Sequence, residues 1–492
     1  MLLSPSLAPS EVRSLPERVI QIGEGNFLRG FFDWLIHQLN QRGHFNGRIV
    51  VVAPRRSGAQ NIRKLNAQGG LFTVYMRGLM DGQEIDQAEI VSSVSRGLDP
   101  YTDWGAFLAC AENRAIDICV SNTTEAGIVY TQEKYEAGQP QGSFPGKLTA
   151  YLYHRFMHFR GSDDAGMTIL PCELIDDNGG RLREIVIQHA RDWCLPDAFM
   201  HWVKHANRFC NTLVDRIVSG IPDQIQQEKI FCRLGYEDSL LTVCEPFHLF
   251  VIEDPGILAR QWPFQDVGLN VRYVCDVKPY RERKVRILNG AHTAMAALCY
   301  AADFRTVQQA MDDPAFALFV RRVVYDEIIP SMNEESASLA DFARVTIDRF
   351  RNPHIEHRLS DIVVNGLTKI RVRLVPTIRD YAERYGRAPR LLTLGLAATL
   401  LFYREQAVDG KVARDDEPLV RRIQDLWLER EGADLQETMQ RLLADAVVWG
   451  YDLNEIGDLP QQAAHHVREI ERDGIRAYVN KLMGLVMGAS LA

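Results

Sequence analysis

Apolar positions follow two different rhythms along this chain. In the first half, short unbroken apolar runs alternate with helical stretches. Arg18-Val19-Ile20-Gln21-Ile22 is one such run and stops at glycines, and Arg48 to Ala53 (RIVVVA) is a second. Unbroken runs suit strands buried on both faces, as in parallel sheets. Phe72–Met76, Ile116–Ser121, Met167–Leu170 and Val271–Val274 are further strand candidates. Asn26–Asn40 carries a helical period, with Phe27, Phe31, Trp34, Leu35, Gln38 and Leu39 mostly on one face. The alternation predicts a doubly wound α/β domain. From about Tyr280 the pattern changes to long helical periods punctuated by Pro353, Pro376 and Pro389, with a loop at 386–389. These patterns predict a doubly wound sheet domain over 1–279 and a mostly α-helical domain over 280–492. Leu391–Tyr403, the longest apolar stretch, is too short to span a bilayer and reads as a buried helix.

Composition narrows the partners. The 492 residues are 46% hydrophobic, enough for a large core, and the net charge is −8 without any basic block. Neither nucleic acid nor an anionic membrane is an expected partner. Nine cysteines, Cys110 to Cys299, form no CxxC pair and read as free thiols in a reducing compartment. The first residues lack the basic start and apolar run of a signal peptide, so a cytoplasmic location is expected. Monomer and dimer both remain open.

Two segments carry chemistry. The first strand runs into Gly23-Glu24-Gly25-Asn26-Phe27-Leu28-Arg29-Gly30. A strand that turns tightly into a helix lets the backbone approach a pyrophosphate at the positive helix end, the Rossmann-like arrangement for NAD. Leu28 stands where the usual spacing has Gly or Ala, and an ordinary tight turn gives the same local sequence. After the second strand the chain reads Ala53-Pro54-Arg55-Arg56, with no acid for the ribose hydroxyls. The arginines can meet a 2′-phosphate, stack on adenine, or form a solvated loop. NADH is the expected cofactor, with measurable use of NADPH.

The second segment is Lys284-Val285-Arg286-Ile287-Leu288-Asn289-Gly290-Ala291-His292. Lys284 and Asn289 lie five apart, Asn289 and His292 three apart, and on one helix all three can point into one cleft. Reduction of a ketone needs a proton donor and further donors that hold the carbonyl oxygen, which Lys, Asn and His provide. A solvated lysine, a capping asparagine and a core histidine give the same spacing. His201 and His205, with Cys210 nearby, have metal-ligand spacing but no fourth ligand, so no metal is expected. His465-His466 reads as a surface pair.

Together the two segments resemble the polyol-specific long-chain dehydrogenases, the mannitol dehydrogenase family, in which Lys-x4-Asn-x2-His opens the helical C-terminal domain. Within the family, GEGNFLRGF, SNTTEAGI (121–128), FPGKLT (144–149), PCELIDDNG (171–179), NTLVDRI (211–217), KPYRERKVRILNGAHTA (278–294) and RFRNPHI (349–355) are similar to the branch that reduces tagaturonate. The resemblance implies direct hydride transfer between NADH and a keto sugar acid, a small-molecule substrate. It makes Lys284 the acid and base, Asn289 and His292 the carbonyl holders, Asn178 a second amide donor and Glu125 a group linked to proton movement. It places the cofactor on Ile20, Gly23, Glu24, Gly25, Asn26, Phe27, Arg29, Arg55, Arg56, Thr123 and Glu125, and an Asp215-Arg216 pair in the site. Mannitol dehydrogenases carry an arginine eight residues before a substrate-site lysine. Here Lys369 is preceded by Asp361, so polyol recognition of that kind is not expected. Arg351, Lys369 and Arg373 are the candidates for a substrate carboxylate. The rival readings are a fructuronate reductase, a polyol dehydrogenase, and a non-catalytic dinucleotide sensor.

Overall fold

The structure, a computed structural model, describes residues 1–7, 14–254, 256–409, 417–429 and 434–489. It divides into two compact units, Met1–Arg77 with Glu84–Tyr280 and Gly78–Gln83 with Arg281–Ala492.

The described strands are β1 (Glu17–Ile22), β2 (Arg48–Val52), β3 (Phe72–Met80), β4 (Gln83–Val91), β5 (Val94–Leu98), β6 (Ile118–Ser121), β7 (Thr168–Pro171), β8 (Arg208–Phe209), β9 (Thr212–Asp215), β10 (Val218–Gly220), β11 (Thr242–Cys244), β12 (Leu249–Glu253) and β13 (Val271–Val274). Six of them form a parallel sheet in the order β5-β2-β1-β6-β7-β8. This is the doubly wound arrangement in which the strand order reverses between β1 and β6, and a ligand crevice is expected outside their carboxyl ends. The unbroken apolar runs have their physical reason here. Val19, Ile49 and Val51 face one core with Phe31, Leu35 and Phe250. Ile20, Ile22, Val50 and Val52 face another with Phe107, Leu148 and Val186. Burial on both faces contributes roughly 1.5–3 kcal/mol per large aliphatic side chain.

Two smaller sheets, β10-β11-β3-β4 and β13-β12-β9, complete the first unit. Phe72–Met80 is thus a strand, but of the four-stranded sheet and not of the parallel one. The helix after β1 also departs from the amphipathic reading. It runs unbroken from Asn26 to Gln41 through a π-helical stretch at Arg29–Asp33, and Leu28 to Asn40 is buried on every side. The small sheet closes its outer face: a Cβ on Gly30 would lie 3.0 Å from Val218 and 3.2 Å from Thr242.

The described part of the second unit after residue 280 consists of helices. Lys278–Arg283 leads into a π-helical segment, Lys284–Gly290, and then Ala291–Ala301. Across that helix lies Arg390–Asp409, with Gly395 at the crossing, where a Cβ would come 2.6 Å from the Ala294 carbonyl oxygen. Every residue of Leu391–Tyr403 is buried, as a core helix requires. His466 corrects the surface reading of its pair. It is fully buried, within hydrogen-bond distance of the Tyr478 hydroxyl (2.8 Å) and the Arg390 carbonyl (2.9 Å), while His465 is exposed. Among the described residues no helix is long and apolar enough to cross a membrane.

Candidate active site

In the first unit the chemistry-bearing residues gather where β1 and β6 end. Gly23 donates its N–H to the Val52 carbonyl (2.9 Å) and adopts φ +136°, with Asn122 O only 2.9 Å from where a Cβ would lie. Glycine alone fits this position. Leu28, in place of the usual small residue, fills the space beneath, its Cδ1 3.0 Å from the same point. Gly25 is different. It caps the helix with an extended backbone, and nothing lies within 4 Å of its missing side chain. That open space at a sixteen-residue helix's N-terminal end is where a phosphate can approach the backbone.

Arg29 turns inward. Its guanidinium, 5% exposed, donates to the Glu24 carbonyl (2.5 Å), the Thr242 hydroxyl (3.1 Å) and Asn26 Oδ1. It braces the glycine turn through these contacts. Ile20 is likewise a core residue of β1, and Phe27 stacks on Phe31 at 5.0 Å. Beneath the turn, Asp33 is fully buried, and burial pushes its carboxyl up to about 8. Gln21 Nε2 reaches it at 3.5 Å while also donating to the Gly23 carbonyl at 3.0 Å. A carboxyl whose folded value lies above its unfolded one takes up a proton on folding. Its stabilising share is complete below the unfolded value near 3.8 and is lost as pH rises through about 8. Asp33→Asn is therefore expected to gain thermal stability over the native protein progressively from pH 5 to pH 9. Melting curves across that range check it, and a Tm difference that is flat or of opposite sign would remove Asp33 as the titrating group.

At the end of β6 the organiser is Glu173, which the sequence reading did not single out. Its carboxylate accepts from the Thr123 N–H and hydroxyl (2.9 Å each) and the Ser121 hydroxyl (3.0 Å). Burial pushes this carboxyl above its usual range, against those donors. Thr123 is thus held from within, and Thr124 follows at φ +74°, a strained conformation for a threonine. The only sequence signal for Glu173 is a lone acid directly after the apolar MTILPC run. The side chain of Glu125 lies outside the described residues.

Asn178 is not a substrate donor. It is fully buried, and its amide nitrogen donates to the carbonyls of Pro171 (2.9 Å), Glu173 (3.1 Å) and Thr212 (3.1 Å). Its oxygen accepts from Gly179 N (2.9 Å) and Thr212 N (3.0 Å). The group ties β7 to β9, leaving nothing for a carbonyl. Arg216 is also internal. It lies over the Trp34 ring (4.4 Å) and donates to the carbonyls of Gly30 (2.7 Å) and Glu245 (2.9 Å), and Asp215 beside it is buried at the end of β9. Arg55 is exposed, and Arg56 lies over the Tyr101 ring at 4.6 Å.

In the second unit Lys284, Asn289 and His292 are half-buried on consecutive turns. From Ile287 to Cys299, only Asn289 and His292 are partly exposed; their neighbours are buried. An ordinary α-helix would spoil the set, because at about 100° per residue a five-residue separation leaves side chains roughly 140° apart. The π-helical turn over Lys284–Gly290 widens the winding and brings Lys284 toward the face of Asn289. Flanking arginines are anchored, Arg283 to Glu334 and Arg286 to Asp380 (2.6 Å) and Glu282 (2.8 Å). His292 stacks on Phe350 (4.1 Å), of the RFRNPHI segment, with His357 edge-on at 5.5 Å. Of the carboxylate candidates, Arg373 reaches Thr293, next to His292, at 3.4 Å. Lys369 donates to the Ile362 carbonyl (2.8 Å), and Arg351 is exposed beyond Phe350. His201 and His205 lie ring to ring at 4.2 Å, and among the described residues no cluster of three or more His, Cys, Asp or Glu could hold a metal ion.

The mannitol dehydrogenase Rossmann domain matches residues 17–265 and the mannitol dehydrogenase C-terminal domain residues 276–471. An altronate oxidoreductase of Bacillus subtilis is 41% identical over 462 residues, covering 94% of each chain. One of Yersinia pestis is 42% identical over 472 residues, covering 95% of this chain and 97% of its own. Among solved structures, Pseudomonas fluorescens mannitol 2-dehydrogenase, in a ternary complex with NAD and D-mannitol, shares the fold at a TM-score of 0.70 and 22% identity, covering 98% of this chain and 100% of its own. A substrate-free D-sorbitol dehydrogenase does so at 0.79 and 19%, covering 97% and 100%. The chain belongs to the mannitol dehydrogenase family of oxidoreductases.

Proposed function

We propose that this enzyme catalyses the reversible NADH-dependent reduction of the keto sugar acid tagaturonate to altronate. The observation that carries the reading is the Lys284–Asn289–His292 face, set by a π-helical turn at the start of a helix that is buried from Ile287 to Cys299 apart from Asn289 and His292. The altronate oxidoreductase relatives support the substrate. The glycine turn fits a nicotinamide dinucleotide, with Gly23, Gly25 and the helix N-terminus at Asn26 on the pyrophosphate and the Thr123 segment, braced by Glu173, beside it. When bound, the cofactor supplies the hydride.

The protein's own work is proton transfer and positioning. Lys284 Nζ donates a proton to the nascent alkoxide oxygen and takes it back in the reverse direction. Asn289 Nδ2 and the His292 ring donate to the same oxygen and its neighbouring hydroxyl, and donors fixed before reaction need no reorganisation as charge develops. Phe350 fixes the plane of His292. Arg373, half-buried beside Thr293, is the basic group best placed for the substrate carboxylate, which a guanidinium meets bidentately. Nine free cysteines support work in a reducing cytoplasm.

The test is NADH turnover with tagaturonate, fructuronate and fructose. Tagaturonate is expected to give the highest kcat/KM, by about 100-fold or more over fructose, because a site built for a carboxylate leaves that cation unpaired with a neutral ketose. A higher kcat/KM for fructuronate or fructose, or no turnover with any of them, would overturn the proposal.

A further inference from the structure

We propose that Glu24 supplies the ribose-directed acid that the second strand lacks, and so sets the preference for NADH over NADPH. The inference rests on the dinucleotide reading of the glycine turn. In a doubly wound sheet of this order, the adenosine ribose lies at the carboxyl end of the second strand, where an acid hydrogen-bonds its hydroxyls. Here that end reads Ala53-Pro54-Arg55-Arg56-Ser57-Gly58, without an acid. Three dimensions restore it. Glu24 leaves the turn after β1, which runs beside β2, and its carboxylate comes to rest over the loop that follows β2. A Cβ built on Gly58 would lie 2.5 Å from Glu24 Oε1, 2.7 Å from its Cδ and 3.0 Å from the Ala53 Cβ.

Gly58 itself gives the second observation. Its backbone is ordinary right-handed helical, φ −74° and ψ −13°, so no conformational demand requires a glycine there. Space does: any larger residue would displace the Glu24 carboxylate. The nearby cations do not occupy that spot. Arg56 lies over Tyr101, which Lys147 Nζ approaches at 4.9 Å while donating to the Gly142 carbonyl at 3.0 Å, and Arg55 is exposed. A carboxylate here accepts from the ribose 2′- and 3′-hydroxyls and repels a 2′-phosphate, and repulsion of the competing ligand is an effective route to specificity.

The test is calorimetric titration of the purified protein with NADH and with NADPH, in the native chain and in Glu24→Gln, Gly58→Ala and the Arg55→Ala/Arg56→Ala pair. The native protein is expected to bind NADH more tightly. Glu24→Gln is expected to narrow the ratio of the two dissociation constants by about 10-fold or more, through weaker NADH and stronger NADPH binding. Gly58→Ala, which keeps the charge but moves it, should shift the ratio the same way, so that a poorly folded Glu24 variant does not end the test. An unchanged ratio in both variants overturns the proposal. So does a shift confined to the arginine pair, which would put selection on the cations. Native protein that binds neither dinucleotide would instead overturn the reading of the glycine turn.

Discussion

Lys284→Ala is expected to lower kcat by about 10²–10⁴-fold, the range of a positioned general acid or base, while leaving the dissociation constant of NADH within about twofold. The two readouts separate because the lysine acts on the substrate oxygen, whereas the glycine turn serves the cofactor phosphates. Lys284 opens the π-helical turn, half-buried, between arginines already committed to Glu334 and to Asp380 and Glu282. Losing its side chain therefore removes a proton carrier without emptying a core position. Lys284→Arg sharpens the point. A guanidinium keeps the positive charge but does not give up its proton in this pH range, so it should be nearly as inactive as alanine. Stopped-flow turnover with tagaturonate and fluorescence titration of NADH check both variants. Near-native kcat in Lys284→Ala would take the lysine out of the mechanism, and a strong recovery in Lys284→Arg would make it an electrostatic anchor.

The doubly wound core was legible in the sequence because its strands are buried on both faces. RVIQI and RIVVVA have no polar face to confuse with a helix. Other strands were less legible: TLVD, TVC and LFVIE are buried but only three to five residues long, and two more are only partly buried. QEIDQAEIV is the edge of its sheet and largely exposed, and VSRGL carries an arginine that pairs with Glu17 at 2.8 Å. The π-helical turns were invisible for another reason: widening a turn by one residue changes no residue type. Yet one of them decides whether Lys284 and Asn289 share a face, which spacing on an α-helix alone does not deliver. Asn178, Arg216 and Arg29 show the converse error. A polar residue in a motif reads as ligand-facing, but a buried backbone also consumes donors, and each of these three gives at least one hydrogen bond to a backbone carbonyl. His466 was misread as a surface residue because its burial, beside the Arg390 carbonyl, comes from a distant element. Glu24 and Glu173 were hard to place because each acts across strands, on loops distant from it in sequence.

Gly25→Ala isolates the cofactor contact from the fold. Gly25 has φ −73° and ψ +169°, a conformation any residue adopts, and its added methyl would meet no protein atom within 4 Å. Folding stability should therefore stay level, or rise by about 0.4–1 kcal/mol as the unfolded chain loses freedom. Binding should not stay level. If the pyrophosphate passes over this residue to reach the helix N-terminus, the methyl stands between the phosphate and the backbone. The dissociation constant of NADH is expected to rise by about 10–100-fold, equivalent to about 1.4–2.8 kcal/mol. Gly23→Ala is the control for a glycine needed by the chain itself. At φ +136°, with Asn122 O 2.9 Å from the new carbon, it should lose stability and NADH affinity together. Thermal melting and NADH titration on the two variants give four numbers. A Gly25→Ala protein that melts like the native one and binds NADH just as tightly would show that no phosphate approaches the turn at this point, and the cofactor would have to be placed elsewhere along the carboxyl ends of β1 and β6.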